Sequence, residues 1–84
     1  MAFFKILYWQ EIPSQVKAWD DFDEVSIELP QRFAVRIDQS AQKQGLTSSD
    51  SFLSQWKWSD DAERVGEPSE VAEAVKVELE EKFP

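Results

Sequence analysis

Asp20, Asp21, Asp23 and Glu24 follow directly on Trp19 and form the densest group of chemically competent side chains in the chain. Hard cations such as calcium take several oxygen ligands from one loop. This loop lacks the ligand spacing and the glycine of an EF-hand turn. It therefore reads first as a solvated hairpin turn, a geometry that aspartate accepts. Whether residues 20–24 also bind a cation stays open. Asp60, Asp61 and Glu63 receive the same reading. A two-carboxylate glycosidase would need a cleft that holds a sugar ring between its acids, and 84 residues in short elements leave little room for one. Serine is plentiful, but there is no histidine to activate it and no nucleophile-elbow motif. Ser48, Ser49 and Ser51 are accounted for by helix capping.

The aromatic residues are the other resource: four Trp, six Phe and one Tyr. Trp9 and Trp56 fall on faces that read as buried. Trp19 and Trp58 lie beside charged loop residues. They either fold over a sheet edge as an extension of a thin core, or they mark a contact surface, where exposed Trp is enriched. Arg32 is the third residue singled out. It sits in the first turn of a helix, where the macrodipole disfavours a cation. It should therefore have an acidic partner, either Glu11 within the chain or an acid outside it. Trp19, Trp58 and Arg32 are the partner-binding candidates.

Composition narrows the chemistry. Cysteine is absent, which excludes disulfides, thiolate nucleophiles and Cys-ligated zinc and fits a reducing compartment. Histidine is absent too, which removes the commonest general base and metal ligand. No catalytic residue, metal site or cofactor is expected. The net charge of −8 repels phosphate and anionic membrane surfaces. The longest apolar stretch, Phe3 to Trp9, is far short of a span. It has no basic flank that would make it a signal peptide. The expected location is the cytoplasm, with no nucleic-acid or membrane partner.

These residues must be positioned by short elements in one domain, 1–84. Phe3 to Trp9 is apolar on both faces and reads as an internal strand. Pro13 marks a turn or an edge, and Gln15 to Trp19 a second strand. Asp20 to Asp23 form a hairpin loop. Val25, Ile27 and Leu29 alternate with Ser26 and Glu28 as a strand with one wet face. Pro30 ends it. A helix follows over about 31–44, with Phe33, Ile37 and Ala41 on its core face and Ala34 beside them. Gly45 takes the left-handed position after it, and Leu46 folds back on Ala41. A short helix then buries Phe52, Leu53 and Trp56. Residues 57–67 read as a polar loop with room for a short strand near Trp58. Pro68 opens the C-terminal helix, about 68–83. Its stripe is Val71, Val75, Leu79 and Phe83, with Ala72 alongside, and Glu78 and Lys82 form an i, i+4 pair. The fold class is α+β, order β-β-β-α-α-α: a small antiparallel sheet of about three strands with three helices packed on one face.

Three segments together carry a family resemblance. They are Trp9, Ile12, Pro13, Gln15 and Val16; then Leu29 to Phe33 with Ile37, Asp38 and Ala41; then Gly45, Leu46, Ser49 to Leu53 and Trp56. The chain resembles the small bacterial virulence factor domain over about residues 6–56. Gln10 stands where the pattern has arginine, and Arg36 where it has a small residue. That domain occurs alone and as the terminal part of proteins such as conserved virulence factor C, where it accompanies HEAT repeats. The resemblance implies one bacterial domain and brings no catalytic residue or cofactor. The expected function is a non-enzymatic protein-interaction or regulatory module. Its partner would be a protein, with a HEAT-repeat protein the one that the resemblance suggests. The alternative is a small carboxylate-based metal- or ligand-binding protein.

Overall fold

Phe3 to Trp9 cannot hide both apolar faces unless the strand is internal, and that is where the fold puts it. The computed structural model describes residues 1–83. The strands are β1 (Ala2–Trp9), β2 (Ile12–Trp19), β3 (Glu24–Glu28), β4 (Trp56–Trp58) and β5 (Ala62–Arg64). The helices are α1 (Gln31–Lys43), α2 (Ser49–Leu53) and α3 (Pro68–Lys82). All pairings are antiparallel, in the order β3-β2-β1-β4, and β5 also pairs with β1.

The sheet thus has five strands, not three, and the order is β-β-β-α-α-β-β-α. The stretch expected as a loop returns along the free edge of β1. Trp58 pairs with Leu7 at one end and Glu63 with Phe3 at the other. Between them Ser59 joins the edge through both its groups. Its N–H donates to the Ile6 carbonyl at 2.8 Å, and its hydroxyl accepts from the Ile6 N–H at 2.8 Å. Strands of three residues are too short to show a period of two in sequence.

β2 begins at Ile12, so Pro13 lies within the strand. It is tolerated because β3 reaches only from Gln15 to Trp19, leaving Pro13 no neighbour on that side to bond. The register slips by one residue there, with Leu7 opposite Gln15 but Tyr8 opposite Pro13. The β1–β2 turn is therefore just Gln10 and Glu11. Gln10 adopts φ +55°, an uncommon value for a non-glycine residue.

The core forms where inward residues of the sheet meet the helices. Ala2, Ile6, Val16 and Ala18 are buried from the sheet, with Val25 and Ile27 packed against them. Phe33, Ile37 and Ala41 come from α1, and Val71, Ala72, Val75 and Leu79 from α3. Ala34, expected beside the α1 stripe, is exposed. Helix α1 ends as the sequence implies. Gly45 has φ +73°, Leu46 N–H donates to Ala41 O at 2.8 Å and Gly45 N–H to Gln42 O at 3.2 Å, which is the Schellman pattern. Ser48 caps α2 through the Ser51 N–H. However, α2 buries no residue, Leu53 is exposed and Trp56 belongs to β4. It is therefore not a third helix packed as a layer on the sheet. In α3, Glu78 pairs with Arg64 on β5 and not with Lys82.

Candidate functional site

Side chains alternate across a strand, so the residues between the inward ones define the other face of the sheet. On β1 these are Phe3, Lys5 and Leu7. Their cross-strand neighbours are Trp19, Lys17 and Gln15 on β2 and Trp58 on β4. Beyond β2 lie Glu24, Ser26 and Glu28 of β3. None of these residues is buried. This sheet face is open, and Trp19 and Trp58 both lie on it.

The two indoles are joined by Lys5. Its ammonium lies 4.6 Å from the Trp58 ring centroid and 5.7 Å from that of Trp19, within cation–π range of both. Phe3 stacks on Trp19 with centroids 6.0 Å apart and planes 24° from parallel. Trp58 and Phe3 remain 38% and 39% exposed. Lys17 pairs with Glu24 at 3.1 Å beside Trp19. The face therefore has an aromatic–cationic centre and an acidic margin of Glu24, Glu28 and Glu63. A shallow groove of about 320 Å³, bordered by Tyr8, Gln10, Lys57, Trp58, Ser59 and Asp60, runs beside Trp58. A smaller one of about 90 Å³ lies between Lys5, Lys17, Trp19 and Glu24. Partial burial raises the Tyr8 pKa, so its hydroxyl stays protonated and can donate.

The other two tryptophans have structural roles. Trp9 is fully buried, with its indole N–H donating to the Phe52 carbonyl at 2.9 Å. Phe52 packs on Trp9 at 5.4 Å and meets Trp56 edge-on at 6.0 Å. This cluster ties α2 to the end of β1. Arg32 is apart from the open face. Its guanidinium donates to the Glu80 carbonyl at 3.1 Å and lies over Phe33 at 5.0 Å. The expected partner is the Glu11 carboxylate, but the Glu80 carbonyl takes its place, an acceptor in the last turn of α3 at the negative end of the helix dipole.

The acidic stretch after Trp19 forms a four-residue hairpin loop between Trp19 and Glu24. Asp20 Oδ1 accepts from the N–H groups of Phe22 and Asp23, both at 2.8 Å, and Asp20 N–H donates to Asp23 O at 2.9 Å. These bonds favour the carboxylate and hold the Asp20 pKa below its ordinary value. Among the described residues no three His, Cys, Asp or Glu side chains gather where a metal ion could sit. None of the helices described is long and apolar enough to cross a membrane.

Two features of the site had no sequence signal that reasoning on single segments could use. Lys5 was only the charge interrupting an apolar strand, and its place between two indoles needs the register of three strands. Gln10 holds the left-handed turn through a reciprocal amide pair with Gln44, at 2.8 and 2.9 Å, and a bond to Gln55 at 3.2 Å. Its backbone N–H donates to the Gln55 carbonyl at 3.1 Å.

The sequence profile of a family described as "Virulence factor" matches residues 7–84. The match extends through β4, β5 and α3, well past the segment that carried the resemblance. No curated protein and no solved structure matches.

Proposed function

The chain belongs to the virulence factor family, and we propose that it acts as a non-enzymatic protein-interaction module whose contact surface is the open sheet face. One observation carries the reading: Trp19 and Trp58, far apart in sequence, come together across Lys5 on a stretch of the sheet where, among the described residues, none of Phe3, Lys5, Leu7, Lys17, Trp19 and Trp58 is buried. An indole left partly exposed on a rigid strand, 38% in the case of Trp58, can anchor a complex. The charge of −8 favours encounter with a basic partner, which the acidic margin of Glu24, Glu28 and Glu63 would meet around the cationic centre of the face. The resemblance supports a HEAT-repeat protein as that partner, met in trans where relatives carry both parts in one chain.

The test is made on Trp19→Ala and Trp58→Ala, with melting temperature and recovery of captured partners measured together. The expected result is a fold close to wild type and a loss of roughly 2 kcal/mol or more in binding at whichever Trp is the hot spot. Unchanged recovery with an unchanged melt would place the contact surface elsewhere. Collapse of both folds would show that the indoles serve the core.

A further inference from the structure

We infer that the β2–β3 hairpin tip is the anchor of this interface: Phe22 enters an apolar pocket on a partner protein, and Asp21 and Asp23 meet basic side chains around that pocket's rim. The inference rests on reading the open sheet face as a contact surface, and it specifies the partner's chemistry.

Phe22 is 91% exposed, while the other aromatic rings of the chain lie at least partly within the fold. Nothing in the hairpin needs an aromatic there. The turn is built by Asp20, whose carboxylate accepts from the Phe22 and Asp23 N–H groups, so a small polar residue at position 22 would serve it equally. The same bonds fix the backbone of Phe22, and a pre-ordered anchor loses less freedom on binding. Charge then selects the occupant. Phe22 stands among Asp20, Asp21, Asp23 and Glu24 in a chain of net charge −8. A pocket that accepts the ring must therefore tolerate the acids around it. Nucleic acid and anionic lipid repel them; an apolar pocket bordered by Arg or Lys attracts them. The hairpin begins at Trp19, so one partner can touch the tip and the open face together.

The experiment places a photo-crosslinking phenylalanine analogue at position 22, at position 58 on the open face, and at Val35, an exposed residue of α1, in cells that make the protein. The protein caught at position 22 is then purified and titrated calorimetrically with wild type and Phe22→Ser, at about 0.05 M and about 0.5 M salt. The expected result is adducts to one protein from 22 and 58 and none from 35. Phe22→Ser should bind roughly 30-fold more weakly, as a hot spot does, with an unchanged melting temperature, and wild-type affinity should fall with salt. Adducts at 58 without any at 22, or equal affinity of Phe22→Ser, would overturn the hairpin anchor and leave the open face standing. Adducts at 22 alone would keep the anchor and overturn the open face. Adducts at neither overturn both, and salt-independent affinity overturns the basic rim.

Discussion

Lys5 shows how one residue takes on a role that its neighbours in sequence do not suggest. In β1 it is a lone charge between aromatics, and it faces outward beside two indoles that a strand register brings from residues 19 and 58. Trp19 and Trp58 stand beside charged residues in the sequence, and the structure places neither of them among the buried residues. Arg32 was legible as a cation needing compensation, but its acceptor is the Glu80 carbonyl, which only the meeting of α1 and α3 reveals. Phe33, by contrast, was fixed by helical periodicity. It is 2% exposed and packs edge-on against Phe83 at 6.3 Å. Phe33→Ala should cost about 3–5 kcal/mol, enough to unfold much of a domain this small. A chemical denaturation curve within experimental error of wild type would show that the α1 register is wrong. Asp20 gives a prediction in pH. Its native pKa lies below its unfolded value, so its stabilisation is complete above the ordinary carboxylate range. That stabilisation is lost as pH falls through the depressed native value. The Phe22 and Asp23 amide resonances should hold steady from neutral pH to about pH 4 and move only below it. A midpoint at or above the ordinary aspartate value would contradict the turn hydrogen bonds.

Elements with a full period declared themselves, and elements without one did not. Helix α1 shows three buried residues at four-residue spacing and stops at Gly45, with both Schellman bonds in place. Helix α3 was equally plain, from Pro68 at its start to the Val71, Val75 and Leu79 stripe. β4 matches the short strand that the sequence leaves room for near Trp58, whereas β5 was missed because three residues carry no repeat and because Asp60, Asp61 and Glu63 give the stretch the composition of a loop. The short α2 misled in the other direction. Phe52 does reach Trp9, but a single turn cannot also bury Leu53. Gly45 tests the stop of α1. A Cβ at this position would meet nothing within 4 Å, so only the backbone is at stake. Gly45→Ala should cost about 1–2 kcal/mol for the left-handed conformation, and Gly45→Asn less. Equal stability of the three proteins in urea would mean that the stop is not built this way. Ala72 tests how closely α3 approaches the sheet. It is fully buried, and Ala72→Leu should destabilise by about 1–3 kcal/mol through overpacking. A stabilised variant would reveal an unfilled space under α3.

The whole molecule is a slab, with principal extents of 41 × 25 × 15 Å and a radius of gyration of 13.8 Å. A compact chain of this length would have a radius near 12 Å. The excess fits a sheet left without a helical layer on its second face, since a third layer would round the particle. Charge at this scale misrepresents the site. The total of −8 is legible from composition, yet the centre of the open face carries Lys5 and Lys17, and only the fold reveals that separation. The total still governs long-range encounter, so the protein should show no salt-sensitive binding to random duplex DNA at physiological ionic strength. A micromolar shift that weakens with salt would indicate a stronger basic surface than Lys5 and Lys17 supply. The central claim is that partners meet the open sheet face, and the four indole N–H resonances of the ¹⁵N-labelled protein test it most directly. On titration with the cross-linked partner, the Trp19 and Trp58 signals should shift or broaden. Trp9, bonded to the Phe52 carbonyl, should hold its position, as should the amides of Val35 and Val77 on the helices. Movement of Val35 and Val77 with Trp19 and Trp58 unmoved would place the partner on the helical side and contradict the account.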